Sequence, residues 1–303
     1  MGSPLRPAGV LVPLVTPFDA SGGVDRNALA VLGSRVLDAG AQGIVALATT
    51  GEPSALDAAE RDAVVATCAE IVHERDRLLV VGASTNDTRE TLRRHEQLAD
   101  IPGVAASLAV VPYYVRPSEA AIVAHFQLVA ERSPAPVIVY NIPYRTGQGL
   151  GADALLELAA TDNIAAVKQA VGGLDTDTLR LLAGAPEDFS VLGGDDPFLA
   201  PLTLMGGRGA IAASANVATE RFVSMIDAAL AGDATATRER AAALLPLVLA
   251  LFAEPSPAVI KAVLEHIGVL SAAGVRMPLA DASPEAAANA ISEYERLAQT
   301  RDG

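Results

Sequence analysis

Eight short apolar runs, separated by longer stretches with helical spacing, constrain the fold of this chain more than any other feature. The runs span residues 10–17, 43–48, 78–84, 104–112, 136–143, 164–169, 189–196 and 209–214. They are continuous rather than alternating, which is typical of parallel strands that are buried on both faces. Eight such runs within 303 residues predict one closed barrel, since a barrel of eight strands and helices needs about 250 residues.

The stretches between these runs have the spacing of amphipathic helices. They cover residues 27–39, 58–74, 88–100, 118–132, 153–160, 175–183 and 198–205. Asp57, Thr88, Ser118 and Thr219 are predicted to cap helix N-termini. A doubly wound sheet is less favoured, because no GxGxxG motif follows the first apolar run. The α/β fold class we predict is therefore a (β/α)8 TIM barrel.

After the eighth unit the pattern becomes mainly helical. Pro255 and Pro257 are expected to end one helix, and Pro246 is expected to kink it. Helices are predicted at about 233–251, 258–267 and 284–299. We therefore expect the barrel to occupy residues 1–232 and a C-terminal helical appendage, packed on the barrel, to occupy residues 233–303.

Composition restricts the class of partner. A net charge of −14 disfavours binding to nucleic acid or to anionic membranes. No apolar stretch is long enough to span a bilayer and no secretory leader is evident, so a cytoplasmic location is expected. The single cysteine, Cys68, excludes an intrachain disulfide and is expected to be a small buried hydrophobe.

Lys168 is the most conspicuous candidate for chemistry. Barrel enzymes place their active sites at the carboxyl ends of the strands, and Lys168 ends the sixth apolar run. Lys168 and Lys261 are the only lysines, whereas the other 20 basic side chains are arginine. Only a lysine can become a neutral amine and attack a carbonyl. Lys261 follows two prolines in a predicted helix and is expected to be solvated.

Histidine placement argues against a metal site. All four histidines fall in predicted helices rather than at strand ends, where they are expected to be exposed or hydrogen-bonded: His73, His95, His125 and His266. A catalytic metal in a barrel would want such ligands at the strand ends. Asp195 and Asp196 alternate along a strand, which makes a poor chelate, so a capping role before Pro197 is expected. No metal is therefore predicted.

Two further candidates lie in or just after the fifth apolar run. Tyr140 neighbours the sixth run and could shuttle a proton if a hydroxyl such as that of Thr49 relays it; otherwise it is a buried core tyrosine. Arg145 could bind a carboxylate through its planar fork, or be a solvated arginine. Gly193 and Gly194 allow close approach of the backbone to a ligand and give only a weak indication of phosphate binding.

Taken together, these segments resemble a known family. They are LVTPF (14–18), ATTGE (48–52), VPYYVRPS (111–118), YNIPYRTG (140–147), AVKQA (166–170), GGDD (193–196), GGRGAIAASANV (206–217) and EPSPAVIKAVL (254–264). In this order they resemble the dihydrodipicolinate synthase/N-acetylneuraminate lyase family of pyruvate-dependent class I aldolases. The resemblance extends over nearly the whole chain.

The resemblance implies a set of catalytic residues. Lys168 matches the lysine that forms a Schiff base with pyruvate, so neither a metal nor another cofactor is expected. Tyr140 matches the tyrosine that handles protons, with Thr49 and Tyr114 as its relay partners. Members are commonly homotetramers, arranged as a dimer of dimers, in which the tyrosine matching Tyr114 reaches into a neighbouring subunit's site.

The resemblance also implies substrate-binding residues. Thr50 matches the residue that holds the carboxylate of pyruvate, and Ile211 offers a carbonyl on the eighth strand. Arg145 matches the arginine that binds the carboxylate of the second substrate, an aldehyde.

The identity of the aldehyde is the open question. The YxxPxRTG, PYY and TTGE patterns resemble the synthases that use L-aspartate 4-semialdehyde in lysine and diaminopimelate biosynthesis. Pro53 and Gln169 depart from the usual residues at their positions. The alternatives are a pyruvate-dependent aldolase or lyase acting on a sugar acid or another 4-hydroxy-2-keto acid, and a keto-acid-binding barrel without catalysis.

Overall fold

A computed structural model of the chain describes residues 5–299, and in it eight parallel strands close into a barrel in chain order. The strands are β1 (Gly9–Pro13), β2 (Gly43–Ala46), β3 (Leu78–Gly82), β4 (Val104–Val110), β5 (Val137–Asn141), β6 (Ile164–Gln169), β7 (Ser190–Gly193) and β8 (Gly209–Ile211). The barrel closes where β8 pairs with β1, with Ile211 opposite Leu11. The predicted (β/α)8 barrel is confirmed.

Helices follow the strands and surround the barrel. They are α1 (Arg26–Asp38), α2 (Ala58–Arg75), α3 (Thr88–Glu96), α4 (Glu119–Arg132), α5 (Pro143–Thr146), α6 (Ala152–Ala159), α7 (Thr176–Gly184), α8 (Leu199–Leu204) and α9 (Ala215–Leu230). None of the helices within residues 5–299 is long and apolar enough to cross a membrane.

Two of the predicted N-caps are confirmed. The side chain of Asp57 accepts a hydrogen bond from Glu60 N at 2.9 Å, and the Glu60 side chain accepts one from Asp57 N at 3.0 Å. This reciprocal arrangement is a capping box. Ser118 caps α4 by accepting from Ala121 N at 3.3 Å.

The other two N-cap predictions are wrong. Asp87 caps α3 by accepting from Glu90 N at 2.8 Å, so Thr88 is the first residue of that helix. Thr219 lies inside α9, where its hydroxyl donates to the carbonyl of Ala215 at 2.6 Å. The backbone leaves helical geometry locally at Ala218, with φ −126° and ψ 48°. A second helical segment therefore starts directly after Ala218, which explains why the sequence indicated a helix start at this point.

The inside of the barrel is filled by apolar side chains, so there is no pore. Alternate strand residues meet there, among them Leu11, Val45, Val80, Ile138 and Leu192. Because the opposite strand faces pack against the surrounding helices, both faces are buried, as the continuous apolar runs indicated. Polar chemistry is thereby restricted to the strand ends. Cys68 is fully buried in the outer layer, as expected, and burial raises the pKa of its thiol to about 12.

The C-terminal region forms three further helices, α10 (Ala234–Leu251), α11 (Ala258–His266) and α12 (Pro284–Gln299), close to their predicted bounds. The first of these continues through Pro246 as one helix. Buried side chains such as Leu247 and Ile260 join the apolar cluster that also covers β1 to β3. This packing places the C-terminal helices against the barrel.

Lys261, on α11, corrects a sequence expectation. We expected it to be solvated, but none of its surface is exposed. Its Nζ donates to Glu52 Oε1 at 2.6 Å. Because Glu52 is 209 positions away in the sequence, the residues around Lys261 could not indicate this partner.

Candidate active site

Lys168 and Tyr140 lie side by side at the carboxyl end of the barrel. They are paired in the register between β5 and β6, so both side chains point to the same side of the sheet. The Lys168 Nζ is 4.1 Å from the centre of the Tyr140 ring, and each residue exposes only 5% of its surface. Both line a cavity of about 270 Å³. This arrangement presents one amine and one phenol to a small ligand.

Gly194 makes room for the lysine side chain. A Cβ at this position would lie 2.8 Å from Lys168 Cε, which is too close for any other residue. A Cβ at Gly193 would lie 2.6 Å from Leu199 Cδ2. The glycine pair after β7 is therefore explained by close packing, and phosphate binding is not needed to account for it.

Thr49 and Thr50 line the same cavity from a short 3-10 turn after β2, Thr49–Gly51. The carbonyl of Gly51 accepts a hydrogen bond from the Thr16 hydroxyl at 2.7 Å, which ties the turn to the segment after β1. Ile211, the last residue of β8, also lines the cavity. The structure thus brings these three predicted residues to Lys168 and Tyr140.

Arg145 lies at the rim of the site. It belongs to α5, a single helical turn, rather than to an irregular loop. It lines both the cavity with Lys168 and an adjoining cavity of about 450 Å³, which Thr49 and Tyr140 also line. No carboxylate within residues 5–299 pairs with its guanidinium, which leaves its donors available to a ligand.

Tyr114 is the one predicted site residue that the structure does not bring to Lys168. It is 87% exposed and follows β4, with its backbone in the left-handed region at φ 71°. Tyr114 is not among the residues that line the cavity with Lys168.

Two carboxylates, which the sequence placed at the end of the seventh strand, lie in the cavity with Lys168. Asp195 and Asp196 line the cavity, but neither side chain caps the turn that follows, so the predicted capping role is wrong. Instead, Asp195 accepts from Gly172 N at 2.6 Å and Asp196 accepts from Ser214 N at 2.7 Å. The signal was their place at the end of the strand next to β6.

Burial raises the pKa of both aspartates. Hydrogen bonds to each carboxylate and the charge of Lys168 act in the opposite direction. Asp196 is almost fully enclosed, with 5% of its surface exposed. The two aspartates therefore surround Lys168 with acidic groups while holding the loops after β6 and β8.

The C-terminal region supplies part of the cavity wall, a contribution that the sequence did not indicate. Val248, Leu249 and Phe252, at the end of α10, face the site together with Ser256. These apolar side chains give the cavity a less polar part of its wall.

Gln169 and Pro53, the two residues that depart from the family pattern, differ in their relation to the site. Gln169 is buried, accepts from Asn141 Nδ2 and donates to Thr178 Oγ1, each at 3.0 Å. Its amide is thus used in holding β5, β6 and α7 together. Pro53 lines the adjoining cavity together with Thr49 and Arg145.

The histidines lie in helices, as predicted, and two of them are buried and hydrogen-bonded through one ring nitrogen. His95 and His125 are buried, and each uses Nδ1 in a hydrogen bond of 2.9 Å, whereas neither Nε2 has a partner within residues 5–299. Burial lowers the pKa of His125 to about 4. Over the same residues, no group of three or more histidine, cysteine, aspartate or glutamate side chains is arranged to hold a metal.

The chain is similar to known proteins over nearly its whole length. The sequence model of the dihydrodipicolinate synthetase family matches residues 6–294. A 4-hydroxy-tetrahydrodipicolinate synthase from Methanosarcina mazei is 36% identical over 290 residues, which cover 95% of this chain and 98% of that protein.

Solved structures agree with this match. A chloride-inhibited dihydrodipicolinate synthase from Acinetobacter baumannii, crystallised with pyruvate, is 30% identical and has a TM-score of 0.90, covering 95% of this chain and 99% of that one. A monomeric dihydrodipicolinate synthase variant is also 30% identical, with a TM-score of 0.92 and 97% of each chain covered. Sequence, fold and full-length coverage thus agree, and this chain belongs to the dihydrodipicolinate synthetase family.

Proposed function

We propose that this protein is a Schiff-base-forming lyase that condenses pyruvate with L-aspartate 4-semialdehyde to give 4-hydroxy-tetrahydrodipicolinate, a step in lysine and diaminopimelate biosynthesis. The observation that carries the proposal is Lys168 Nζ, 4.1 Å from the ring centre of Tyr140, in a small cavity at the carboxyl end of the barrel. Family membership and the activity of the relatives support it.

In the first step, the neutral amine of Lys168 attacks the keto carbon of pyruvate. The resulting carbinolamine loses its hydroxyl as water after taking a proton from Tyr140, and an iminium remains. Thr50 holds the carboxylate of pyruvate, and Ile211 offers its carbonyl nearby. Thr49 and Tyr114 relay the proton of Tyr140.

In the second step, the iminium makes the methyl group acidic, and loss of one proton gives an enamine. The enamine carbon forms a bond to the aldehyde carbon, whose oxygen takes up a proton and becomes a hydroxyl. The amino group of the aldehyde substrate then adds to the iminium carbon and displaces Lys168 Nζ. The product is a cyclic imine, and the lysine is regenerated.

The protonated imine itself is the electron acceptor in this chemistry, so the mechanism requires neither a metal nor another cofactor. Arg145 provides the carboxylate site for the aldehyde, because its fork of donors is unpaired within residues 5–299 and faces both cavities.

We further propose a cytoplasmic homotetramer in which Tyr114 completes the site of a neighbouring subunit. The exposed ring of Tyr114, next to the exposed Tyr113 and Val115, supports this assembly. A monomeric variant of a related synthase shows that assembly is not uniform among such proteins.

Reduction with borohydride tests the central step. Pyruvate followed by borohydride should leave one reduced pyruvyl group on Lys168, detected by intact mass and peptide mapping. Mapping is simple because Lys261 carries the only other side-chain amine. The Lys168→Ala variant should form no such adduct, and the absence of an adduct in the unmodified protein would sink the proposal.

Turnover separates the alternatives. Pyruvate and aspartate semialdehyde, coupled to the reductase that consumes the product, should give a rate that Lys168→Ala abolishes. Faster reaction with a sugar aldehyde would favour a different aldolase. Trapping of pyruvate without turnover of any aldehyde in a panel would favour a barrel that only binds keto acids.

A further inference from the structure

Lys261, the second of the two lysines, lies in an enclosed ion pair away from Lys168. Its Nζ donates to Glu52 Oε1 at 2.6 Å and to the carbonyl of Gly274 at 2.9 Å. The same nitrogen is 4.1 Å from the centre of the Phe18 ring. The side chains of Lys261 and Glu52 expose 0% and 1% of their surfaces. The chain therefore buries opposite charges between α11 and the segment that follows β2.

Such a pair is an unusual way to gain stability. The cost of removing both charges from water offsets most of their attraction, and apolar residues of the same volume often stabilise a core equally well. Unlike an apolar contact, an ion pair with hydrogen bonds fixes the orientation of the side chains that form it. Glu52 Oε2 also accepts from Arg276 N at 2.9 Å, so both carboxylate oxygens are held at defined points.

The fixed orientation of the Glu52 side chain matters because of the backbone conformation at Glu52. Glu52 directly follows the turn Thr49–Gly51 and has φ 54° and ψ 41°, the left-handed region that side chains other than glycine seldom adopt. Strained backbone of this kind persists only where the surroundings hold it in place. The contacts of the buried carboxylate with Lys261 and Arg276 provide that hold.

The other side of the same turn faces the candidate active site. Thr49 and Thr50 line the cavity with Lys168. Thr16 holds the carbonyl of Gly51 at 2.7 Å, and Glu52 N donates to the carbonyl of Thr49 at 3.2 Å. The turn is therefore fixed from the barrel by Thr16 and from the C-terminal region by the ion pair of Glu52.

We infer that Lys261 is a positioning residue for pyruvate binding: through its buried ion pair with Glu52, it fixes the turn that presents Thr50 to the pyruvate carboxylate. The inference rests on the proposed function and adds to it a requirement for α11, a C-terminal helix that does not itself line the cavity. Loss of the ion pair weakens pyruvate binding while Lys168 keeps its reactivity.

The experiment compares Lys261→Met, the double variant Glu52→Gln/Lys261→Met, and a control, Arg296→Met. The control removes an exposed ion pair, Arg296–Glu293 on α12, by the same change from cation to methionine. Each protein is titrated with pyruvate in the borohydride reaction, and the half-maximal concentration and the final yield of adduct on Lys168 are measured. Tm is measured by calorimetry on the same samples.

Lys261→Met should raise the half-maximal pyruvate concentration by about 10- to 100-fold, since a small misplacement of binding groups has effects of this order. The final adduct yield at saturating pyruvate should match that of the unmodified protein. Tm should fall by roughly 5–15 °C, because Glu52 is left as an uncompensated buried charge. Arg296→Met should change none of these quantities.

The double variant separates positioning from stability. It removes both charges, so most of the lost Tm should return, whereas the pyruvate concentration should stay high because the turn lacks its directional contacts. If Tm and pyruvate affinity return together, or if neither variant changes the affinity, the inference is overturned. Should Lys261→Met fail to fold, the double variant and the isosteric Glu52→Gln supply the same comparison.

The unmodified protein reports on the proposed function separately. If it forms no adduct on Lys168, the proposed function fails, and this inference fails with it. If it forms the adduct and the variants bind pyruvate normally, only the positioning role is wrong.

Discussion

Tyr140 and Lys168 form the smallest unit on which the proposed chemistry depends. The phenol ring lies beside the amine, and both are almost fully removed from solvent. A phenol in this position can donate a proton to the leaving hydroxyl and recover it through a relay. Dehydration to the iminium should therefore be the step most sensitive to loss of the Tyr140 hydroxyl.

We expect Tyr140→Phe to lower kcat by about 10²- to 10⁴-fold, the usual contribution of general acid–base catalysis. Rapid-quench trapping with borohydride should show slow formation of the adduct, although the ring that packs on Lys168 is retained. Tyr294→Phe, on α12 far from the cavity, is the matched control. Equal kcat in the two variants would contradict a proton-transfer role.

Arg145 should act on the second substrate alone. Arg145→Ala is expected to raise the KM for aspartate semialdehyde by about 10- to 100-fold, the value of one charge-assisted hydrogen-bonded contact. The pyruvate dependence of borohydride trapping should be unchanged. A control is Arg180→Ala, which removes an exposed arginine paired with Asp153 and Asp177. An effect of Arg145→Ala on pyruvate trapping would contradict the assignment.

At the scale of the elements, the start of α2 links the active-site segment to the C-terminal region. Glu60 closes the capping box with Asp57 and also pairs with Arg276. Arg276 further donates to the carbonyls of Ala55 and Gly22, at 2.8 and 2.6 Å. One arginine after α11 thus holds the segment that follows the Thr49–Gly51 turn and the connection between β1 and α1.

The Glu60–Arg276 contact predicts a dependence of stability on pH. Hydrogen bonding to Arg276 lowers the pKa of Glu60 from 4.5 to about 2. Because the folded state has the lower pKa, this stabilisation is complete above about pH 4.5 and is lost as the pH falls toward 2. Between these values Tm should fall more steeply in the unmodified protein than in Glu60→Gln.

Thermal unfolding measured from pH 6 to pH 2 provides the test, with Glu131→Gln on the exposed face of α4 as the control. Parallel curves for the unmodified protein and Glu60→Gln would show that the contact contributes nothing. The effect should be modest in size, since Glu60 and Arg276 are each partly exposed.

At the scale of the whole molecule, the exposed Tyr114 requires an explanation that one chain does not contain. Its ring is 87% exposed, and the neighbouring Val115 is 57% exposed, which together form an apolar projection beside the barrel mouth. A neighbouring subunit that buries this projection would bring Tyr114 into a second site.

Subunit complementation tests this arrangement. We expect Lys168→Ala and Tyr114→Ala each to have little activity alone and to recover activity when mixed. In a mixed dimer one site keeps both Lys168 and the neighbour's Tyr114, so random exchange should restore about a quarter of the unmodified activity. Native mass spectrometry would verify that subunits exchange; exchange without recovery would contradict a shared site.

The sequence by itself determined the barrel and singled out Lys168 as the candidate for its chemistry. Continuous apolar runs report burial on both faces of a strand, a property that is local, and eight of them leave few folds available. Lys168 was identified because a strand end and a rare residue type are both visible in the printed sequence. Tyr140 was singled out because it lies near the end of the strand before that of Lys168, and strands adjacent in chain order are adjacent in the barrel.

The tertiary structure alone decided which distant groups meet. Lys261 looked like a solvated helix residue because its partner, Glu52, lies 209 positions away. The apolar wall from α10 and the contacts of Arg276 with the segments around α2 have the same origin. The residues close in sequence indicate whether a side chain is buried or caps a helix. The free energy of a buried charge depends instead on its partners, which are brought together only when the chain folds.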